Sequence, residues 1–213
     1  MINPTFHDTR IQSSNTLVLG NVCKDCNNCW MSKLENNFKP ILNKLLIKRQ
    51  NLTSLNKYER QTIALWSFKT ALVINAGSNY RRIIPESHYI HLYEHQTLIK
   101  NVRIDVGFIK SKNDLLWRQS NIGFGLALDS EENDIIERMA ISYKISLQIK
   151  FIGMRISFFP LAKESGYQIN FSALDKNIRI WPYSKNFHFN TKSEYKNIDE
   201  FDLDCGIKPA HNK

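Results

Sequence analysis

The sequence predicts an α+β protein, with an N-terminal cysteine knuckle and amphipathic helices in front and a mainly antiparallel, twisted β-sheet behind. Three observations in its 213 residues predict this. Three cysteines gather at the entrance to a helical pattern. Apolar residues then recur at three- and four-residue spacing as far as about residue 76, and after about residue 100 the apolar period falls to two. On this reading residues 1–99 are the knuckle and helical region, 100–190 the sheet packed on it, and 191–213 a polar tail.

Trp30, Leu34, Phe38, Ile41, Leu42, Leu45 and Leu46 mark the first amphipathic helix. Pro40 should kink it or begin a second helix, because proline has no amide hydrogen and its ring crowds the preceding turn. Asn56 stands three residues before Glu59, a reciprocal capping pattern, and Leu65, Phe68 and Leu72 share a face of the helix it opens. Gly77 is a suitable stop. Trp66 and Phe68 read as core residues rather than base-stacking ones.

In the back half Ile104, Val106 and Phe108 alternate with Arg103, Asp105 and Gly107, and Ile122, Phe124, Leu126 and Leu128 alternate with small residues. Met139, Ile141, Tyr143, Ile145, Leu147 and Ile149 follow at odd positions, but Ile152, Met154, Ile156 and Phe158 continue at even ones. A slip of one residue swaps the buried face, so a bulge or tight turn is expected near Gly153. YQINF and NIRIWPY supply two further short strands, the last ended by Pro182. The acidic cluster Asp199, Glu200, Asp202 and Asp204 is expected in a loosely held tail.

A formal net charge of +9 makes a polyanion a natural partner, with a generally lysine-rich surface as the plainer account. MINPTFHDTRIQSS lacks the charged start and apolar run of a secretory signal, and no stretch reaches the roughly 20 apolar residues of a membrane span. The expectation is a cytoplasmic protein whose four cysteines, Cys23, Cys26, Cys29 and Cys205, stay reduced or bind metal. The sequence has no phosphate-cradling glycine loop, nucleophile elbow or HExxH motif, which argues against nucleotide hydrolysis, serine esterase chemistry and zinc proteolysis.

Cys23 and Cys26 form a CxxC pair, the spacing of half a tetrahedral zinc site, and Cys29 lies close enough to be a third ligand. The same thiols also fit a site without metal, buried as small hydrophobes. A redox dithiol of the thioredoxin type would follow a strand in a βαβ pattern, which is absent, and an iron–sulfur cluster would need a fourth nearby cysteine.

VCKDCNNCWMSKLE, followed by FKPIL and IALWSFKTALVI, resembles bacterial and phage proteins of the HNH endonuclease class, which carry a CxxCN knuckle and a GWMS-LE helix. The likeness covers about residues 20–76, with a looser one at IRIWPY. It implies a ββα-metal site, in which a hairpin and a helix grip one divalent cation over the scissile phosphate and a histidine activates water. Carried over by residue, Cys23 and Cys26 match the second of the family's two structural zinc-knuckle pairs, and Asn27 matches the asparagine that orients the hairpin. His7 would be the general base, Asp8 a ligand for Mg2+ or Mn2+, and Asn36 the helix ligand.

The chain departs from the pattern in three places. No cysteine stands upstream of Cys23, the family's acid-then-histidine order is reversed as His7-Asp8, and Cys29 replaces the glycine before tryptophan, either as a replacement zinc ligand or by simple drift. Two functions follow. One is a metal-dependent HNH-like endonuclease acting on DNA. The other is a catalytically inactive derivative that binds nucleic acid or a protein partner, as an inhibitor in bacterial defence would; oligomeric state is left open.

His88, His91 and His95 share a face at helical spacing, which suits either a metal or proton-handling cluster or a solvated polar face beside Glu86 and Glu94. Lys44, Lys48 and Arg49, Arg81 and Arg82, and Lys110 and Lys112 are basic clusters that would track a phosphate backbone if they shared a surface.

Overall fold

The computed structural model describes residues 7–11, 22–48, 52–77, 82–120, 141–160, 167–170, 176–183 and 193–209. In chain order the elements are β1 (His7–Ile11), α1 (Lys24–Cys26), a π turn (Asn27–Met31), α2 (Ser32–Lys48), α3 (Lys57–Gly77) and α4 (Glu86–His95). They continue with β2 (Val102–Ser120), β3 (Tyr143–Phe158), β4 (Tyr167–Asn170), β5 (Asn177–Trp181), α5 (Ile198–Leu203) and β6 (Gly206–Pro209). This is an α+β architecture, as expected, with the main helices ahead of a four-stranded antiparallel sheet.

β2 organises that sheet. β3 pairs with it along one side from Val102–Phe158 to Ser120–Lys144, while β5 and then β1 occupy the other side at opposite ends. β4 and β6 form a separate two-stranded sheet. β1 was not foreseen, and the apolar run 122–128 lies outside the described residues.

The phase slip is real, and it falls at Lys150. That residue adopts φ 55°, and the β2–β3 register shifts around Asn113, its partner. The slip lets Tyr143, Ile145 and Leu147 share a face with Ile152, Met154 and Ile156, where α3 packs. α3 opens as expected, with Glu59 N–H donating to Asn56 Oδ1 at 2.9 Å and Asn56 N–H to Glu59 Oε2 at 3.0 Å. It ends at Gly77. α2 runs through Pro40 without interruption, and Phe38 stacks on Trp66 at 4.0 Å, so Trp66 and Phe68 are core.

The other face of the sheet carries Asp105, Lys144, Ser146, Arg155 and Ser157, the polar alternates of the strand pattern, yet all are buried. Their cover is the acidic segment expected to hang loosely. Tyr195 bridges to Ile109, α5 packs on β2 and β3, and Phe201 and Asp202 are fully buried. The segment holds because its buried acids meet buried donors. Lys144 Nζ stands 3.2 Å from Asp202 Oδ2 and donates to Asp202 O at 2.7 Å, and Ser146 Oγ donates to Asp202 Oδ1 at 2.7 Å. Asp204 Oδ2 accepts from Tyr195 Oη at 2.5 Å and from Asn177 Nδ2 at 3.2 Å. Arg155 donates to Phe201 O, and its guanidinium lies 4.8 Å over the Phe201 ring. Paired Gly107 and Gly153 leave room for that ring, since a Cβ on either would come within 3.2 Å of it.

Among the described residues no helix is long and apolar enough to cross a membrane.

Candidate functional site

Cys23 begins the helical run itself. In an extended conformation it caps α1, its Sγ accepting the Cys26 N–H at 3.4 Å and its carbonyl accepting the Asn27 N–H at 2.9 Å. The helix then widens into the π turn, a feature common at functional sites, before α2 begins. The Cys26 backbone N–H and thiol hold the exposed Cys23 thiol below its ordinary range. Burial, and then donation to Cys23, push Cys26 up. The two sulfurs therefore act as an acceptor and donor pair.

Both cysteines line an apolar cavity of about 220 Å³, with Trp30 from the π turn, Leu72 and Ala76 from α3, and Tyr89 from α4. Cys29, one turn on, is exposed and does not line it. Cys205 sits beyond the sheet, under α5, its Sγ 3.7 Å from Ser157 Oγ and its thiol pushed up by burial. The sheet thus separates it from the knuckle. Cys23 and Cys26 supply two of the four donors of a tetrahedral zinc site, and among the described residues no group of three or more His, Cys, Asp or Glu side chains is arranged to hold a metal.

His7 and Asp8 open β1, opposite Ser120 and Gln119; their side chains lie outside what is described. Gln119 Oε1 accepts from Asn75 Nδ2 at 2.7 Å, and Asn75 immediately precedes Ala76 and Gly77 of the cysteine cavity. The start of β1 and the cysteine turn therefore approach the same end of α3. Asn27 is exposed on the π turn. Asn36 is exposed on α2, roughly 13 Å further along the helix axis at 1.5 Å per residue. Glu35 between them is engaged, accepting from Trp66 Nε1 at 2.6 Å and from Lys69 Nζ.

The histidine trio divides. His88 is buried, its Nδ1 3.0 Å from Tyr143 Oη and its ring 4.5 Å from Phe158, whereas His91 meets Thr97 and His95 is exposed. Burial, aided by His91, lowers the His88 pKa to about 4. Of the basic clusters, Lys44 pairs with Glu59 at 2.8 Å, and Arg49, Arg81 and the Lys48 side chain lie outside the described residues. Sequence reasoning missed the Tyr89 and Leu72 walls of the cavity. They come from separate helices, and only the apolar spacing of each helix was visible.

Comparison of the chain with protein-family models, with curated proteins and with solved structures finds no match.

Proposed function

We propose that this protein acts on nucleic acid through an HNH-like scaffold. The supporting observation is the approach of strand β1, with His7 and Asp8, and the cysteine turn to one end of α3. In the catalytic form His7 would take a proton from the attacking water, and Asp8 with a helix donor such as Asn36 would hold Mg2+ or Mn2+, which would supply charge to stabilise the phosphodiester as it is cleaved. Cys23 and Cys26, with Cys29 as a third thiol, would hold a structural zinc that braces the turn.

One observation favours the non-catalytic derivative. Glu35 is the one carboxylate of α2, and it is engaged by Trp66 and Lys69, which leaves neutral asparagines as that helix's nearby donors. Plasmid nicking with Mg2+ or Mn2+, beside an EDTA control and a His7→Ala variant, separates the two. Metal-dependent cleavage lost in the variant establishes the enzyme. Folded protein that cleaves under neither metal is a binding module.

A further inference from the structure

The sheet half contains a basic surface that no single sequence cluster announced. At the middle of β2, Ile109 bridges to Tyr195; Lys110 N–H donates to Tyr195 O at 2.8 Å, and Ser111 N–H to Lys196 O at 3.3 Å. On the other side of β2, Asn113 pairs with Lys150. Strands β2 and β3, with the segment that bridges to β2 at Tyr195, thus carry Lys110, Lys112, Lys150 and Lys196 to one bend, and all four are exposed. Strand geometry, about 3.4 Å per residue along the chain and about 4.8 Å between strands, confines their Cα atoms to a patch on the order of 10 Å across.

The bend is rigid. Gln148 Nε2 donates to Ser111 O at 2.5 Å and to Lys150 O at 2.7 Å, which staples the two strands across the register shift. Lys150 itself is held at φ 55°, a left-handed conformation that a non-glycine residue rarely adopts. The neighbouring acids of α5 are engaged, Asp199 by Arg118 and Glu200 by Lys176 at 2.9 Å and by the Lys196 N–H at 2.6 Å. Counting Asp114 and Glu194 as well, the bend stays net positive.

We infer that this four-lysine bend is a docking surface for the phosphate backbone of nucleic acid. The inference rests on the nucleic-acid reading above but not on catalysis at His7. A patch on the order of 10 Å across spans two to three phosphates at about 3.4 Å of axial rise per nucleotide. Lysines on a flexible stem suit such contacts, because they follow charge rather than base identity.

The test is fluorescence anisotropy of a labelled duplex DNA and a matched RNA across a salt series. It compares wild type with a variant carrying Lys110→Gln, Lys112→Gln, Lys150→Gln and Lys196→Gln. The fourfold variant should bind roughly tenfold or more weakly at low salt, with a log–log salt slope shallower by about 2–3 and no change in sequence preference. If that variant melts early, Lys110→Gln with Lys112→Gln reads the same slope, shallower by about 1–2. Unchanged affinity and slope in a folded variant overturns the inference. So does wild-type protein that binds neither nucleic acid at low salt, which would point to an acidic protein partner. Wild-type protein that binds through these lysines but nicks under neither metal leaves the surface standing without the catalytic reading.

Discussion

The buried His88 makes folding stability depend on pH in a window below its ordinary pKa. Its imidazole is walled in by Tyr143 and Phe158, and its pKa falls from 6.5 to about 4. Because the unfolded chain binds the proton more tightly, stability is unaffected above pH 6.5, is lost as pH falls below it, and levels off near the folded pKa. At pH 5 the unfolded imidazole is protonated and the folded one is not, so the loss is about 1.5 pH units at 1.36 kcal/mol each, or about 2 kcal/mol. Glu59 and Glu200 are lowered from 4.5, Glu59 by Lys44 and Glu200 by the Lys196 N–H, so their contribution is present above that value and lost only below it, outside the window. Urea unfolding at pH 8 and pH 5 of wild type and His88→Gln measures the effect. With an m-value of about 2 kcal/mol/M, the wild-type midpoint should fall by about 1 M more than that of the variant. Equal falls in the two proteins would refute the assignment of a buried, neutral His88.

Asp202→Ala should cost about 3–5 kcal/mol in urea unfolding, since it leaves the Lys144 ammonium buried without its carboxylate, and adding Lys144→Met should recover part of that. A loss under about 1 kcal/mol would mean that α5 is not held by this pair. In metal-free protein iodoacetamide should modify Cys23 before Cys26, and Cys205 only after denaturation, as peptide mass mapping can follow. Modification of Cys26 first would contradict the donor and acceptor roles assigned to the pair.

Local signals in the sequence were legible. The Asn56 and Glu59 box and the Gly77 stop of α3 depend on residues a few positions apart, and the slip before Ile152 follows from counting alternate positions along one strand. β1 was missed because HDTRI has one strongly apolar residue and is a strand only by pairing with β2, more than 100 residues later. The polar alternates of β2 and β3 looked solvated, because the partners that bury them are distant; Lys144 reaches Asp202 across 58 positions. At the candidate site the helical spacing that starts at Trp30 placed the cysteine cluster at a helix entrance, and Cys23 caps that helix. Which side of the sheet Cys205 occupies depends on α5, and no spacing revealed it.

The placement of the acidic cluster bears directly on the basic surface. Were Asp199, Glu200, Asp202 and Asp204 on a free tail, they would form a mobile polyanion able to fold back on the lysine bend and compete with nucleic acid. Instead Asp202 and Asp204 are buried on the sheet, Asp202 against Lys144 and Asp204 against Tyr195 and Asn177, and Asp199 and Glu200 are paired at the first turn of α5. The acids are thus used to hold down the segment whose Lys196 completes the bend. The same contacts that close the polar face of the sheet bring Lys196 beside the lysines of β2 and β3, so the proposed binding of nucleic acid would depend on the integrity of α5. Asp202→Ala should therefore weaken DNA binding although Asp202 is itself an acid, whereas a purely long-range charge effect would strengthen it.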